Sequence, residues 1–139
     1  MISDEQIALV QQSFAKVVPI SQMAAVMFYD KLFEDRPDFR ALFPEDMETQ
    51  RGKLITTLAA VVQSLHQIDQ VIDQIEDLGR RHVSYNVKNE DYGPVGKALL
   101  HTLSEGLGED WNPELEKAWS AAYAMLAKVM INAANQKAA

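Results

Sequence analysis

Apolar residues recur every three or four positions along most of the chain, the spacing of an amphipathic helix, and no segment alternates with the two-residue period of a half-buried strand. Ile7, Val10, Phe14 and Val17 form the first stripe. Ser3, with Gln6 three residues on, predicts a capping box that satisfies two of the orphan N–H groups at its start. Pro19 punctuates, and Ala25, Phe28, Tyr29, Leu32 and Phe33 mark a second helix. Pro37 opens a short third one ending near Leu42 and Phe43, Pro44 breaks it, and the polar stretch Glu45 to Thr49 reads as loop. Leu54, Leu58, Val61 and Leu65 then keep step along a long helix. Val71, Ile75, Leu78 and His82 share the next stripe, which ends in Asn86 or nearby. The turn-rich run Asn89-Glu90-Asp91-Tyr92-Gly93-Pro94 leads into a helix carrying Val95, Leu99, Thr102 and Leu103, closed by Gly106 and Gly108. Asn112 stands as N-cap with Pro113 at the first helical position of a last helix through Leu115, Trp119, Ala122, Leu126, Val129 and Ala133. The pattern predicts an all-α fold of about seven helices, two of them short, in one domain. A regular four-helix bundle would have fewer and more equal helices.

Composition narrows the function. The 139 residues suffice for one sizeable core, and 47% of them are hydrophobic, too many for a disordered chain. No apolar run reaches the length of a bilayer span, and the acidic start lacks a secretory pattern, so a cytoplasmic protein is expected. The net charge of −7 argues against nucleic acid and anionic membrane as partners. With no cysteine, thiolate ligands, disulfides and cysteine nucleophiles are excluded.

His82 carries the sharpest chemical signal. The polar residues Asp73, Gln74, Glu76, Asp77, Arg80 and Arg81 lie off its stripe, so the imidazole is aimed inward. An inward neutral imidazole can ligate a metal, or can be a core histidine satisfied by a backbone carbonyl. His101 shares a face with Lys97, Ser104 and Glu105, and His66 stands among Gln63 and Gln67, so both are expected at the surface. Gln50 begins the stripe of the Leu54 helix, where a polar residue at a helix start is common, and Tyr29 reads equally as an aromatic with its hydroxyl at the core edge.

The order of Phe28-Tyr29-Asp30-Lys31-Leu32-Phe33, Arg36-Pro37 through Leu42-Phe43, Gln50 to Leu54, Leu78-Gly79-Arg80-Arg81-His82, Tyr92-Gly93-Pro94-Val95-Gly96 and Trp119-Ser120-Ala121-Ala122-Tyr123 resembles the globin family along essentially the whole chain. More closely, it is similar to bacterial single-domain haemoglobins and the haem domain of flavohaemoglobins. The resemblance implies a single globin domain over residues 1–139, with haem b (iron protoporphyrin IX) held by His82 as proximal ligand. It puts Gln50 and Tyr29 on the distal side as a two-donor cage around bound ligand, and Leu54 over the iron. Phe43 is implied as the phenylalanine wedged against the haem, and Tyr92 as the tyrosine near the proximal histidine. Lys53 and Arg81 could each pair with a haem propionate, and read equally as solvated surface charges. In flavohaemoglobins a glutamate late in the final helix works with that tyrosine; the matching residue here is Ala134, and the flavin and nicotinamide domain has no counterpart before Ala139.

The expected function is therefore reversible binding of O₂, CO and NO, with nitric oxide dioxygenation where an external reductase restores the iron, in a bacterial protein that is a monomer or weak homodimer. The enzymatic alternative is a haem peroxidase or nitrite reductase, against which the missing glutamate and the lack of a distal histidine base speak. The third alternative is a haem-free helical interaction or sensor module.

Overall fold

The computed structural model describes residues 2–84 and 88–138. Six α-helices account for most of them: α1 (Asp4–Val17), α2 (Ser21–Asp35), α3 (Glu48–Gln63), α4 (Ile68–Ser84), α5 (Tyr92–Leu107) and α6 (Pro113–Ala138). Short 3₁₀ turns link them, and the expected short third helix is one of these, Pro37–Leu42. The expected end of the His82 helix at Asn86 lies outside the described residues. One boundary differs from expectation. Residues 45–49 are not all loop, because α3 already starts at Glu48, where the Asp46 carboxylate accepts from the Glu48 N–H at 3.0 Å.

The helix ends follow local chemistry. Ser3 and Gln6 exchange side chain–backbone bonds of 3.1 and 3.0 Å, the expected capping box. Asn112 accepts from the Leu115 N–H at 2.9 Å, a cap of the kind that contributes about 1 kcal/mol. Gly108 takes φ 55° just beyond α5, a conformation that favours glycine.

The core sits between α1, α2, α5 and α6. α2 crosses α5, and α6 packs on both α1 and α4. Trp119 is 3% exposed; its ring lies 6.2 Å from Phe14, and its N–H donates to the Ser13 hydroxyl at 2.9 Å. Ser13 in turn donates to the Leu9 carbonyl, so this buried polar pair is satisfied. Two glycines let helices approach closely. A Cβ at Gly79 in α4 would fall on the backbone of Met130 in α6, and one at Gly96 in α5 would lie 2.6 Å from the Tyr123 ring.

α3 and α4 are packed differently. α3 rests on α2 and α1, and α4 on α6, while little contact joins α3 to α4. Their apolar stripes are correspondingly only half-buried: Leu54, Leu58 and Val61 on α3, and Val71 and Leu78 on α4, with Ile75 the buried member.

Candidate functional site

His82 projects from the last turn of α4, half-buried. Its Nδ1 lies 2.7 Å from the Leu78 carbonyl, one turn back. A carbonyl only accepts, so Nδ1 bears the proton, and in the neutral ring Nε2 carries the lone pair. The two readings of this histidine are thus compatible: the bond to a backbone carbonyl is the one that fixes the tautomer of a ligating imidazole. Burial pushes the His82 pKa below its usual value and the Arg81 charge adds to this, while the Leu78 carbonyl opposes it. The ring is therefore held neutral, the form that can ligate. Tyr92, at the start of α5, stacks on it with centroids 6.3 Å apart and planes at 28°. The Tyr123 hydroxyl donates to the Tyr92 carbonyl at 2.6 Å, tying α6 to this end of α5.

A second polar group lies between α2 and α3. The Gln50 amide N–H donates to the Tyr29 hydroxyl oxygen at 3.2 Å. Tyr29 is buried, with Phe28, Phe33 and Phe43 at centroid distances of 4.9, 5.9 and 5.5 Å. Burial raises its pKa above the usual phenol value, against the smaller lowering by Gln50 and Arg51. The hydroxyl stays protonated at neutral pH. Because its oxygen already accepts from Gln50, its own proton is directed elsewhere. The two side chains implied as a two-donor cage are thus bonded to each other as one unit.

Of the other residues singled out in the sequence, Phe43 and Leu54 are half-buried beside this unit or on the same helix face, and Lys53 and Arg81 are exposed on α3 and α4. Ala134 is buried, so no carboxylate stands at that position. His66 and His101 are both exposed. A small apolar cavity of ≈ 20 Å³ lies behind Leu54 and Phe28, against Leu99 and Trp119. Sequence reasoning missed Arg40, whose guanidinium donates to the carbonyls of Phe43, Pro44 and Glu45 at 3.4, 2.9 and 2.8 Å. A half-buried arginine in a short turn carries no periodic signal that would have marked it.

The donor set bears on what the site could hold. Among the described residues no group of three or more His, Cys, Asp or Glu could bind a metal ion. One fixed imidazole cannot retain a bare metal, whereas a macrocycle that brings its own four nitrogens needs only one axial ligand from the protein. Half-buried apolar faces on α3 and α4 suit a flat apolar group, and the Tyr29–Gln50 unit supplies a few placed polar atoms. The residues fit such a group.

Comparison with known proteins points the same way. Residues 26–130 match the family model described as Globin. The flavohemoprotein of Bacillus subtilis (strain 168) is 27% identical over 134 residues, 94% of this chain and 34% of that protein. The flavohemoprotein of Bordetella pertussis is 31% identical over 134 residues, again 94% of this chain and 33% of that one. The chain thus spans about a third of the length of these relatives. Among solved structures, an engineered carbene transferase from Rhodothermus marinus, described as a nitric oxide dioxygenase, superposes with a TM-score of 0.88 at 28% identity, covering 98% of this chain and 95% of that one. A bacterial globin from Campylobacter jejuni shares the fold at TM-score 0.84 and 21% identity, covering 96% of this chain and 97% of that one. Among the described residues no helix is long and apolar enough to cross a membrane. The chain belongs to the globin family.

Proposed function

We propose that this protein is a haem-based oxygen-binding globin, a single domain over residues 1–139, with haem b ligated by His82 and with O₂, CO and NO as its ligands. The observation that carries the reading is the pairing of one tautomer-fixed imidazole on α4 with one part-buried hydroxyl–amide unit between α2 and α3, where the apolar faces of α3 and α4 are only half-covered. Haem, which His82 would hold, would supply an iron able to bind one diatomic ligand. Everything else is the work of the chain. Leu78 holds the imidazole, and Tyr92 limits its rotation by stacking. Tyr29 donates its hydroxyl proton to a partly anionic ligand, and Gln50 orients that hydroxyl by occupying its oxygen. Leu54 and Phe43 exclude water on that side. Lys53 and Arg81, both exposed, pair with the propionates.

Nitric oxide dioxygenation fits the same pocket, given an external reductase; relatives named as flavohemoproteins support it. Peroxidase work is disfavoured, because Gln50 is no base and Ala134 offers no carboxylate behind His82. We place the protein in the cytoplasm, as a monomer or weak homodimer.

The test is ligand release. Tyr29→Phe removes only the hydroxyl, so the oxygen dissociation rate should rise about tenfold to a hundredfold, for a donor contributing roughly 1.5–3 kcal/mol. CO carries less negative charge, and its release should hardly change. Gln50→Leu should act in the same direction. The double variant should fall short of the product of the two effects, since the two groups are bonded to each other. Unchanged oxygen release in Tyr29→Phe refutes the donor role.

A further inference from the structure

Arg40 closes the segment between the Pro37–Leu42 turn and α3 on itself. Its backbone carbonyl accepts from the Phe43 N–H at 3.2 Å, and its side chain donates back to the carbonyls of Phe43, Pro44 and Glu45. Three successive carbonyls are thus held by one planar fork, a task that a lysine ammonium on a flexible stem does not match. The same guanidinium lies 5.6 Å from the centre of the Phe33 ring. Phe33 and Phe43 meet edge to face at 5.6 Å, and both rings contact Tyr29. Two residues beyond the clasped carbonyls is the buried Met47, whose carbonyl accepts from the Arg51 N–H in the first turn of α3, the turn that carries Gln50.

We propose that Arg40 is a positioning residue for the distal hydroxyl: by clasping residues 43–45 it fixes the Phe43 ring against Tyr29 and holds the hydroxyl in the pose in which Gln50 donates to it. Arg40 touches neither the hydroxyl nor a ligand and acts through Phe43. The inference rests on the functional reading above. Its physical content is a population: when the clasp opens, the donor-competent pose of Tyr29 is occupied for a smaller fraction of the time, and ligand stabilisation weakens by that fraction.

Arg40→Gln and Arg40→Lys are compared with Arg36→Gln in the haem-loaded protein. Arg36 pairs with Asp38 and lies over Phe39, away from the clasp, and serves as control. Two quantities are measured: oxygen and CO dissociation rates, and the ring-flip rates of Phe43 and Tyr29 by aromatic NMR. The expected result is oxygen release about three- to tenfold faster in both Arg40 variants, with CO release and the Arg36 variant unchanged. Faster ring flips should appear at Phe43 and Tyr29, and at Phe33, which loses its own contact with the guanidinium. In a Tyr29→Phe background, Arg40→Gln should add nothing. Unchanged ring flips, or an oxygen effect that persists in full without the Tyr29 hydroxyl, overturns the proposal. If the chain takes up no haem, or Tyr29→Phe leaves oxygen release unchanged, the functional reading fails instead. The ring flips then decide by themselves whether Arg40 positions Tyr29.

Discussion

The close approach of α4 to α6 at Gly79 gives a direct test of the packing. Gly79 is in α4 and Met130 in α6, and a Cβ built on Gly79 would lie 2.6 Å from the Met130 Cα, 2.8 Å from its carbonyl carbon, and closer still to its oxygen. Those atoms are backbone and cannot rotate aside. In Gly79→Ala the helices must part by on the order of 1 Å to restore ordinary contact, a gap that forfeits a large share of the dispersion energy along the seam. Overpacking of this kind costs about 1–3 kcal/mol. Replacing a mid-helix glycine by alanine returns up to about 1 kcal/mol in helix propensity. Set against the full propensity gain, the net is a loss of up to about 2 kcal/mol, or up to roughly 8 °C in Tm for a chain of this length. Gly52 in α3 is the matched control: a Cβ there meets nothing within 4 Å. Gly52→Ala keeps only the propensity gain and should raise Tm by about 2–4 °C. Thermal unfolding followed by circular dichroism, at equal haem content, reads both. A Gly79→Ala protein that melts as high as Gly52→Ala would refute the close crossing. His82 lies one turn further along α4, so the same variant should also disturb the haem absorption spectrum.

Three further outcomes follow from the site. His82→Ala should abolish stable haem incorporation, read as the haem-to-protein ratio, while His66→Ala and His101→Ala, both at exposed positions, leave it intact. The buried Ala134 predicts an iron–histidine stretch, by resonance Raman on the ferrous form, like that of an oxygen-storage globin; a peroxidase-like frequency would mean that another group acts on His82. At alkaline pH the sign is set by the tyrosines. Burial raises the pKa of Tyr29 and, much more, of Tyr123, so in the folded state both stay protonated after their unfolded counterparts ionise near pH 10. Their protonated burial is fully tolerated below that pH, and stability falls as pH rises through about 10 and beyond. Phenolate absorbance should appear together with loss of helical signal, and Tyr123→Phe should flatten this alkaline dependence.

The helices were legible because their apolar period is carried by core residues: Ile7, Val10, Phe14 and Val17 are all buried as the stripe requires. The start of α3 was not, because Glu48 and Thr49 are polar and the turn that admits them is fixed by a local bond from the Glu48 N–H to Asp46. His82 could be placed on an inward face by spacing alone. Its tautomer could not, since this depends on a 2.7 Å approach to one carbonyl. The Tyr29–Gln50 bond joins residues 21 apart in sequence and exists only where α2 crosses α3. Gly79 and Gly96 look like weak points in helical patterns, and their use becomes visible only with Met130 and Tyr123 beside them. Arg40 has the same character: its partners are backbone carbonyls, which no side-chain pattern reveals.

The uneven packing of α3 and α4 has a thermodynamic consequence. Local opening is cheapest where few apolar contacts are lost, and these two helices carry mostly half-buried stripes while α1, α2, α5 and α6 share the sealed core. Of the two, α3 opens at the lower cost, because α4 is held on α6 along its Gly79 side. A ligand that fills the space between them and binds only the closed state raises their protection by RT ln(1 + [L]/Kd), about 4 kcal/mol at a thousandfold excess over Kd. Under the proposed function that ligand is haem, and its uptake would be the step that closes α3 and α4.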